Sequence, residues 1–539
     1  MNNSATKNIA RAAGTVMIAT VIGQLAGLAR SVIVARTFGA SPELSAFLYG
    51  NRVSETLFLL VAGGALGSAF IPTFTGFLAK DDKDSAWKLA ASLARLVTLT
   101  LSLLALLAAF FAPQIVRYAL APGFVSEPEL FALTVELMRI QLVAAVLFGL
   151  GGLIVGILNA HQIFLIPALT PAMYQLGIIF GALVLAPTMG VHGLAWGVII
   201  GAVFYLLIQI PSLYRTSLTD SKVSRLWSNV GRRWTPWNLI DDFRNSNVRH
   251  VLLLMGPRLL GVAVVQVNFW VNAALASNMS ADSMAALSYA FALMLMAQAA
   301  IAQSVANAAM PTFSAQHALG QRDEMRASLA ASLRGIIFLA LPASLGLILL
   351  REPLVAMLYQ RGEFDSHSTE LVAWALLWYA AGLLGHSIME VLTRAFYAQH
   401  DTKTPVFIGT IAMGLNVVFS FAFAALFPRF GWVALGGLAL ANSLATALEA
   451  IALFVVMRKR LDGIEGAHIG RGLVQAAAGG LGMSLALAMW NQLGGSLNRW
   501  AAGLGGVAIG GLVYGLIMIV LRVPEIQSLI QFIKRRLMR

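Results

Sequence analysis

The chain has 539 residues, of which 58% are hydrophobic and only 11% charged, with a mean hydropathy of +0.78. Soluble domains carry about 25% charged residues, so these figures exclude a water-soluble globule and identify an integral membrane protein. A net charge of +13 is expected in cytoplasmic loops rather than against nucleic acid, and the absence of cysteine excludes disulfides, thiolate metal sites and cysteine nucleophiles.

Apolar runs of about 20 residues or more, the length that crosses a bilayer, lie at approximately 12–35, 45–78, 88–112, 129–158, 163–186, 191–214, 250–276, 284–313, 328–350, 368–396, 405–427, 432–457, 470–490 and 500–521. They predict an all-α polytopic membrane protein with fourteen transmembrane helices. The first run is longer than a signal-peptide core and lacks a small-residue cleavage site, so it is expected to remain as a membrane helix. With the N-terminus inside, 26 of the 37 lysines and arginines fall in cytoplasmic segments, 6 in outer ones and the rest within helices. This asymmetry predicts that both termini are cytoplasmic.

The chain repeats itself. Ala69-Phe-Ile-Pro-Thr-Phe74 matches Ala308-Ala-Met-Pro-Thr-Phe313, and residues 91–124 match 331–364, at an offset of 239 or 240 positions. The match includes turn and charged residues, which shared Leu/Ala composition does not supply. An offset of six helices, an even number, predicts two six-helix lobes of the same orientation related by a parallel repeat around a central cavity. The expected organisation is an N-lobe at 1–214, an amphipathic cytoplasmic linker at 215–249, a C-lobe at 250–457, two extra helices at 458–522 and a basic interfacial segment at 523–539. In the linker, Trp227, Trp234 and Trp237 interleave with Arg225, Arg232 and Arg233, a pattern suited to an anionic leaflet surface. Pairs of glycines four apart, such as Gly506/Gly510 and Gly511/Gly515, suit close helix packing.

No phosphate-binding Gly-rich loop, His-Glu-x-x-His helix or Gly-x-Ser-x-Gly elbow occurs, so no enzyme is expected. The chemistry resides in ionisable and amide side chains inside apolar runs: Arg30, Arg52, Glu55, Glu136, Arg139, Arg258, Gln266, Asn268, Asn272, His386, Glu390 and Asn416. Such groups face a bundle interior or a wet cavity. Arg52 and Glu55 stand three apart on one helical face, so an ion pair between them is sterically available, and a substrate role is equally open. Glu136 and Arg139 share that spacing near a helix start, where a structural pair is expected. Arg258, beside the basic linker, is expected to snorkel to the interface.

The words GLARSVIVARTFGAS (27–41), AFIPTF, LAPGF, ILNAHQIFLIPALTPAMYQLG, MGPRLLGVAVVQVNFWVNAALAS, MLYQRGEFD and RAFYAQHDTKTPV, in this order over nearly the whole length, resemble the MurJ (MviN) family of lipid II flippases in the MOP exporter superfamily. The resemblance implies two six-helix lobes around a cavity that alternates between cytoplasmic and outer access. It implies a bacterial inner-membrane protein that turns the undecaprenyl-diphosphate-linked peptidoglycan precursor, lipid II, to the outer leaflet, its polyprenyl tail in a groove of the last two helices. Arg30, in Gly27-Leu28-Ala29-Arg30, matches the family's first-helix arginine, and Arg52 falls near the basic stretch of its second helix. A diphosphate leaving bulk water needs such bidentate cationic partners. The sequence departs from the family pattern at Gln24, Ser31, Phe58-Leu59 and Tyr289-Ala290-Phe291-Ala292, so the cavity keeps about half of its usual cationic charge.

The candidate cavity residues are therefore Arg30, Arg52, Glu55, Gln24, Asn268, Asn272 and Arg258, with Glu390, His386 and Asn416 as candidates for ion coupling. No cofactor or metal is expected, while coupling to membrane potential, H+ or Na+ is open. Expected partners are lipid II, membrane lipids and cell-wall synthesis enzymes, with the chain acting as a monomer. Two other readings stand beside the flippase: an exporter of another polyprenyl-linked glycan or a cationic drug, and a transport-inactive scaffold for cell-wall enzymes.

Overall fold

The computed structural model describes residues 3–61, 65–218, 245–493 and 498–525. Most of the linker expected at 215–249 and nearly all of the C-terminal segment therefore lie outside the described residues. Every regular element described is helical, as lipid requires of segments that must satisfy their own backbone groups. Eleven of the described helices are long and apolar enough to cross a membrane, and up to thirteen if each of two bent pairs is one span. Within the run at 45–78 the described residues form α2 (Pro42–Val61) and α3 (Ala65–Ala79), and Arg52 and Glu55 lower the hydropathy of α2.

The chain divides into two compact units, Met1–Asp282 and Ser283–Arg539. In the first, α1 (Asn3–Phe38) packs on α6 (Leu165–Phe180), and α2 packs on α5 (Pro128–Ala160), which also holds α4 (Lys83–Phe110) and α7 (Val191–Leu207). After a short α8 (Ile210–Leu218), the helix α9 (Ser246–Ser277) lies on α2 and α3, within this unit. Phe70, Phe74, Trp87, Leu89 and Leu93 form a fully buried centre for α3 and α4, joined by Val248 and Val251 of α9. Helices α6 and α7 meet along a seam of glycines. A Cβ added at Gly177 would lie 2.1 Å from the Gly201 nitrogen, and one at Gly181 would lie 2.5 Å from the Gly193 oxygen. Only glycine permits that backbone approach.

The second unit contains α10 (Ser283–Gln298), α11 (Ser304–Ala318), α12 (Arg322–Leu349), α13 (Arg351–Tyr359), α14 (Ser366–Ala381), α15 (Leu383–Ala398), α16 (Lys403–Leu426), α17 (Leu435–Arg460) and the terminal pair α18 (Gly466–Leu493) and α19 (Arg499–Val520). The terminal pair packs on α12 through Ile337, Phe338, Met483, Leu487, Tyr514 and Met518. Of the glycine pairs read from sequence, Gly506 and Gly510 meet Leu350 and Leu487, whereas Gly511 and Gly515 face open space.

Helices α14 and α15 bend by 46° at Gly382. A Cβ there would strike Ser443 of α17, whose hydroxyl instead donates to the Trp378 carbonyl at 2.7 Å. The Ser344 hydroxyl donates to the Ala380 carbonyl at 2.6 Å. Neighbouring helices thus supply donors where the break disturbs the ladder, the usual condition for a broken helix at membrane depth.

The internal repeat is written into the backbone. Left-handed turns occur at Asp81 and Gly320, at Gln162 and His400, and at Gly190 and Gly431, each pair separated by the offset read from sequence to within two residues. Pro72 and Pro311 stand inside corresponding helices.

Candidate functional site

The first unit gathers its polar groups around α2. Arg52 Nη1 donates to Glu55 Oε2 at 3.0 Å, so the ion pair available from their spacing is formed. The Arg52 guanidinium lies 5.2 Å from the centre of the Phe269 ring, within cation–π range, and its Nε is buried with no hydrogen-bond partner among the described residues. The Arg52 side chain is 19% exposed and that of Glu55 is 44% exposed, so water reaches the carboxylate more freely than the cation.

Thr56 ties this pair to α9. Its hydroxyl donates to the Arg52 carbonyl at 2.7 Å and stands 3.2 Å from Gln266 Oε1, while Trp270 Nε1 donates to Thr56 Oγ1 at 3.0 Å. Gln266, Phe269 and Trp270 follow helical spacing on α9, and so present one face to α2. On the same helix Asn268 is buried and accepts from Asn272 Nδ2 through its carbonyl at 3.0 Å and its side-chain oxygen at 3.3 Å.

Arg30 enters from α1. It is half-buried and makes no hydrogen bond or ion pair among the described residues. Tyr174 belongs to α6, the helix packed on α1. Phe148 of α5 closes that side, its ring centre 5.0 Å from Tyr174 and 5.4 Å from Phe58. Ser31, at the family's acidic position, donates to the Gly27 carbonyl at 3.0 Å and is spent on its own helix. Gln24 is exposed. Arg258 belongs to α9, and its side chain lies outside the described residues.

Three further candidates belong to the second unit. His386 Nε2 stands 3.1 Å from Asn442 Oδ1, Glu390 accepts from Arg394 Nη2 at 3.0 Å, and Asn416 is buried. The pair expected between Glu136 and Arg139 does not form. Glu136 instead meets His192 Nε2 at 3.1 Å and Arg139 Nε donates to the Ala109 carbonyl at 3.0 Å, because α7 and the end of α4 offer closer partners than the next helical turn.

Sequence reasoning missed Glu449 of α17. Its side chain is 9% exposed and its carboxyl faces Gly409 of α16, where an added Cβ would lie 3.1 Å from Oε1. It makes no hydrogen bond or ion pair among the described residues. The signal was present as a lone acid in Ala447-Leu448-Glu449-Ala450-Ile451, an apolar context in which an ionisable group rarely occurs without a role.

Arginines, amides and a carboxylate held within a bundle of membrane-length helices define a polytopic membrane protein of the transporter class. The family model described as "Lipid II flippase MurJ" matches residues 34–503. A lipid II flippase MurJ of Burkholderia cenocepacia is 31% identical over 455 residues, covering 84% of each chain. A probable lipid II flippase MurJ of Vibrio cholerae is 29% identical, covering 81% of this chain and 80% of the relative. Among solved structures, a lipid II flippase MurJ in an inward closed conformation superposes with a TM-score of 0.76 at 24% identity, covering 94% of this chain and 98% of the other. An inward-facing multidrug-resistance MATE transporter of the MOP superfamily gives 0.63 at 17% identity, covering 82% and 94%. The chain belongs to the MurJ family of lipid II flippases.

Proposed function

We propose that the chain flips lipid II, moving the undecaprenyl-diphosphate-linked disaccharide peptide from the inner to the outer leaflet of the bacterial inner membrane by alternating access. Fourteen spans, two six-helix lobes with a terminal pair, and cytoplasmic termini complete this reading. The observation that carries it is the state of Arg52, a membrane-embedded guanidinium whose buried Nε has no hydrogen-bond partner among the described residues, beside a half-exposed carboxylate.

Glu55 holds Arg52 charged and oriented while no substrate is present. An arriving diphosphate offers a stronger, bidentate acceptor and displaces Glu55 toward water. Arg30, with no competing carboxylate among the described residues, supplies the second cation. Asn268 and Asn272, bonded to each other on α9, complete the polar wall of the proposed cavity. His386 and Glu390 already have partners in Asn442 and Arg394. This favours membrane potential, acting on the cationic site and its anionic cargo, over an H+ or Na+ ion held at those two residues.

The test is complementation of a flippase-depleted bacterium by the wild-type chain and by Arg30→Glu and Arg52→Glu variants expressed to equal levels, with leaflet location of the precursor as readout. Wild-type rescue with failure of both reversals is the expected outcome. Rescue by either reversal would overturn the role given to that arginine, and failure of the wild-type chain would overturn the substrate.

A further inference from the structure

The turn at 427–433, between α16 and α17, closes on a cluster of aromatic rings. The Trp432 ring centre lies 5.3 Å from that of Phe427, 5.7 Å from those of Trp378 and Phe430, and 6.0 Å from that of Trp374. Trp374 and Trp378 stand one turn apart on α14 with ring centres 5.6 Å apart.

The surroundings hold this cluster in place. Trp374 Nε1 donates to the Val433 carbonyl at 3.0 Å. At the start of α17, Gly436 makes room for both indoles of α14, since an added Cβ would lie 2.5 Å from Trp374 Nε1 and 2.7 Å from Trp378 Nε1. Gly431, at φ 73°, supplies the left-handed residue that reverses the chain.

The fold does not need these rings to make the turn. The first unit reverses its chain at the corresponding Gly190 with Met189 and Val191 in the places of Phe430 and Trp432. The rings are also poorly covered, Phe430 being 63% exposed and Trp432 45%. Trp432 Nε1 makes no hydrogen bond among the described residues, and neither does the exposed Arg429.

The helix leading into the turn shows what covers them. The span Lys403–Phe430 has 28 residues, and only 17% of its most apolar window is buried by protein. Phe407, Ile411, Val418 and Phe421 recur along it at helical spacing, each at least 50% exposed, a stripe suited to acyl chains. A helix of that length rises about 40 Å, against about 30 Å of hydrocarbon, so its ends reach the headgroups. An indole with a free N–H is at home at that level, and an arginine there reaches lipid phosphate.

We propose that the turn at 427–433 is an interfacial anchor. Phe430 and Trp432 seat at the boundary of hydrocarbon and headgroups, on the outer side by the orientation expected from the basic loops, and Arg429 meets lipid phosphate. An exposed indole can also stack on a sugar, but such a site needs several convergent polar groups. Here the other exposed neighbours are apolar, Leu426 and Val433. The assignment does not rest on the transport reading.

The chain has no cysteine, so Phe430→Cys gives a single site for a spin label in the full-length protein. Reconstituted in phosphatidylethanolamine/phosphatidylglycerol vesicles, the label reports its depth through collisions with a water-soluble nickel chelate. Nickel accessibility at position 430 should be at least about threefold below that of Glu363→Cys, in the exposed turn after α13. Adding Trp432→Ala should raise it about twofold. Accessibility equal to that at position 363 would place the turn in water and overturn the anchor, and so would a depth untouched by Trp432→Ala. Depth at position 430 alone decides the matter should Trp432→Ala fold poorly, and Arg429→Cys, which keeps both rings, gives the same reading should Phe430→Cys do so.

Discussion

Arg334 and Glu525, 191 positions apart, are joined by two hydrogen bonds, Nε to Oε1 at 2.6 Å and Nη2 to Oε2 at 3.0 Å. Nη1 of the same guanidinium donates to the His468 carbonyl at 3.1 Å, and its plane lies 5.4 Å from the Phe338 ring centre. One side chain of α12 thus grips both ends of the terminal helix pair. Arg334 is 3% exposed and Glu525 33%, so the bond is screened on one side only. Arg334→Ala is expected to cost about 2 kcal/mol, below the 3–5 kcal/mol typical of a fully buried pair broken on one side. A double-mutant cycle with Glu525→Ala, read by thermal melting in detergent, should show coupling, and additive single effects would contradict the linkage.

Arg30 and Arg52 should tolerate lysine unequally. At position 52 an ammonium can still meet Glu55, but it cannot offer a diphosphate two parallel N–H bonds. Arg52→Lys is expected to cut export at least tenfold while leaving protein level unchanged. Arg30→Lys places its ammonium where no carboxylate among the described residues competes with the diphosphate for it, and should retain more activity. Fluorescent or radiolabelled precursor accumulation in complemented cells measures both.

The glycine seam predicts a sharp positional contrast. Gly177→Ala would bring a methyl group to 2.1 Å from a backbone nitrogen of α7, so the two helices must part. Expression and monodispersity should fall markedly. Gly511→Ala, with nothing within 4 Å of the new methyl group, should melt at the wild-type temperature or slightly higher, since alanine is the better helix former.

Glu449→Gln is expected to leave the melting temperature unchanged or raise it, because the amide fills the same volume at a site where the carboxyl makes no hydrogen bond or ion pair among the described residues. Glu449→Lys should lower the yield of folded protein. A fall in stability on the glutamine change would show that the carboxylate has a partner stronger than Gly409's open face.

Acid should loosen the turn between α15 and α16. Burial works to raise the Asp401 pKa, but the Thr404 hydroxyl and amide and the Arg460 guanidinium outweigh it and hold the carboxyl at about 2. Thr404 Oγ1 and Arg460 Nη2 each lie 2.6 Å from Oδ2. A folded-state pKa below the unfolded value of about 3.9 gives stability that is complete above about pH 5 and lost as pH falls toward 2. Its size is on the order of 2 kcal/mol, so Asp401→Asn should abolish this part of the acid sensitivity while lowering stability at pH 7.

The amino-acid sequence by itself determined the membrane class, nearly all the spans and the repeat, because those depend on local quantities. Hydropathy over about 20 residues states whether a helix can cross lipid. A turn that needs a left-handed residue leaves its mark at each copy, as at Asp81 and Gly320. The run at 45–78 is described as two stretches of helix, Pro42–Val61 and Ala65–Ala79, and Arg52 and Glu55 in the first keep its hydropathy low.

Two carboxylate–arginine pairs with identical spacing show what only the tertiary structure decided. Arg52 and Glu55 bond to each other, whereas Glu136 and Arg139 turn to His192 and to the Ala109 carbonyl. Spacing along a helix fixes which groups can meet, and that information is local. Which partner wins depends on the helices delivered alongside, whose residues lie 30 and 56 positions away in the second case. The same applies to Arg334, one basic residue among several in α12 and, in the folded chain, the anchor of the terminal pair.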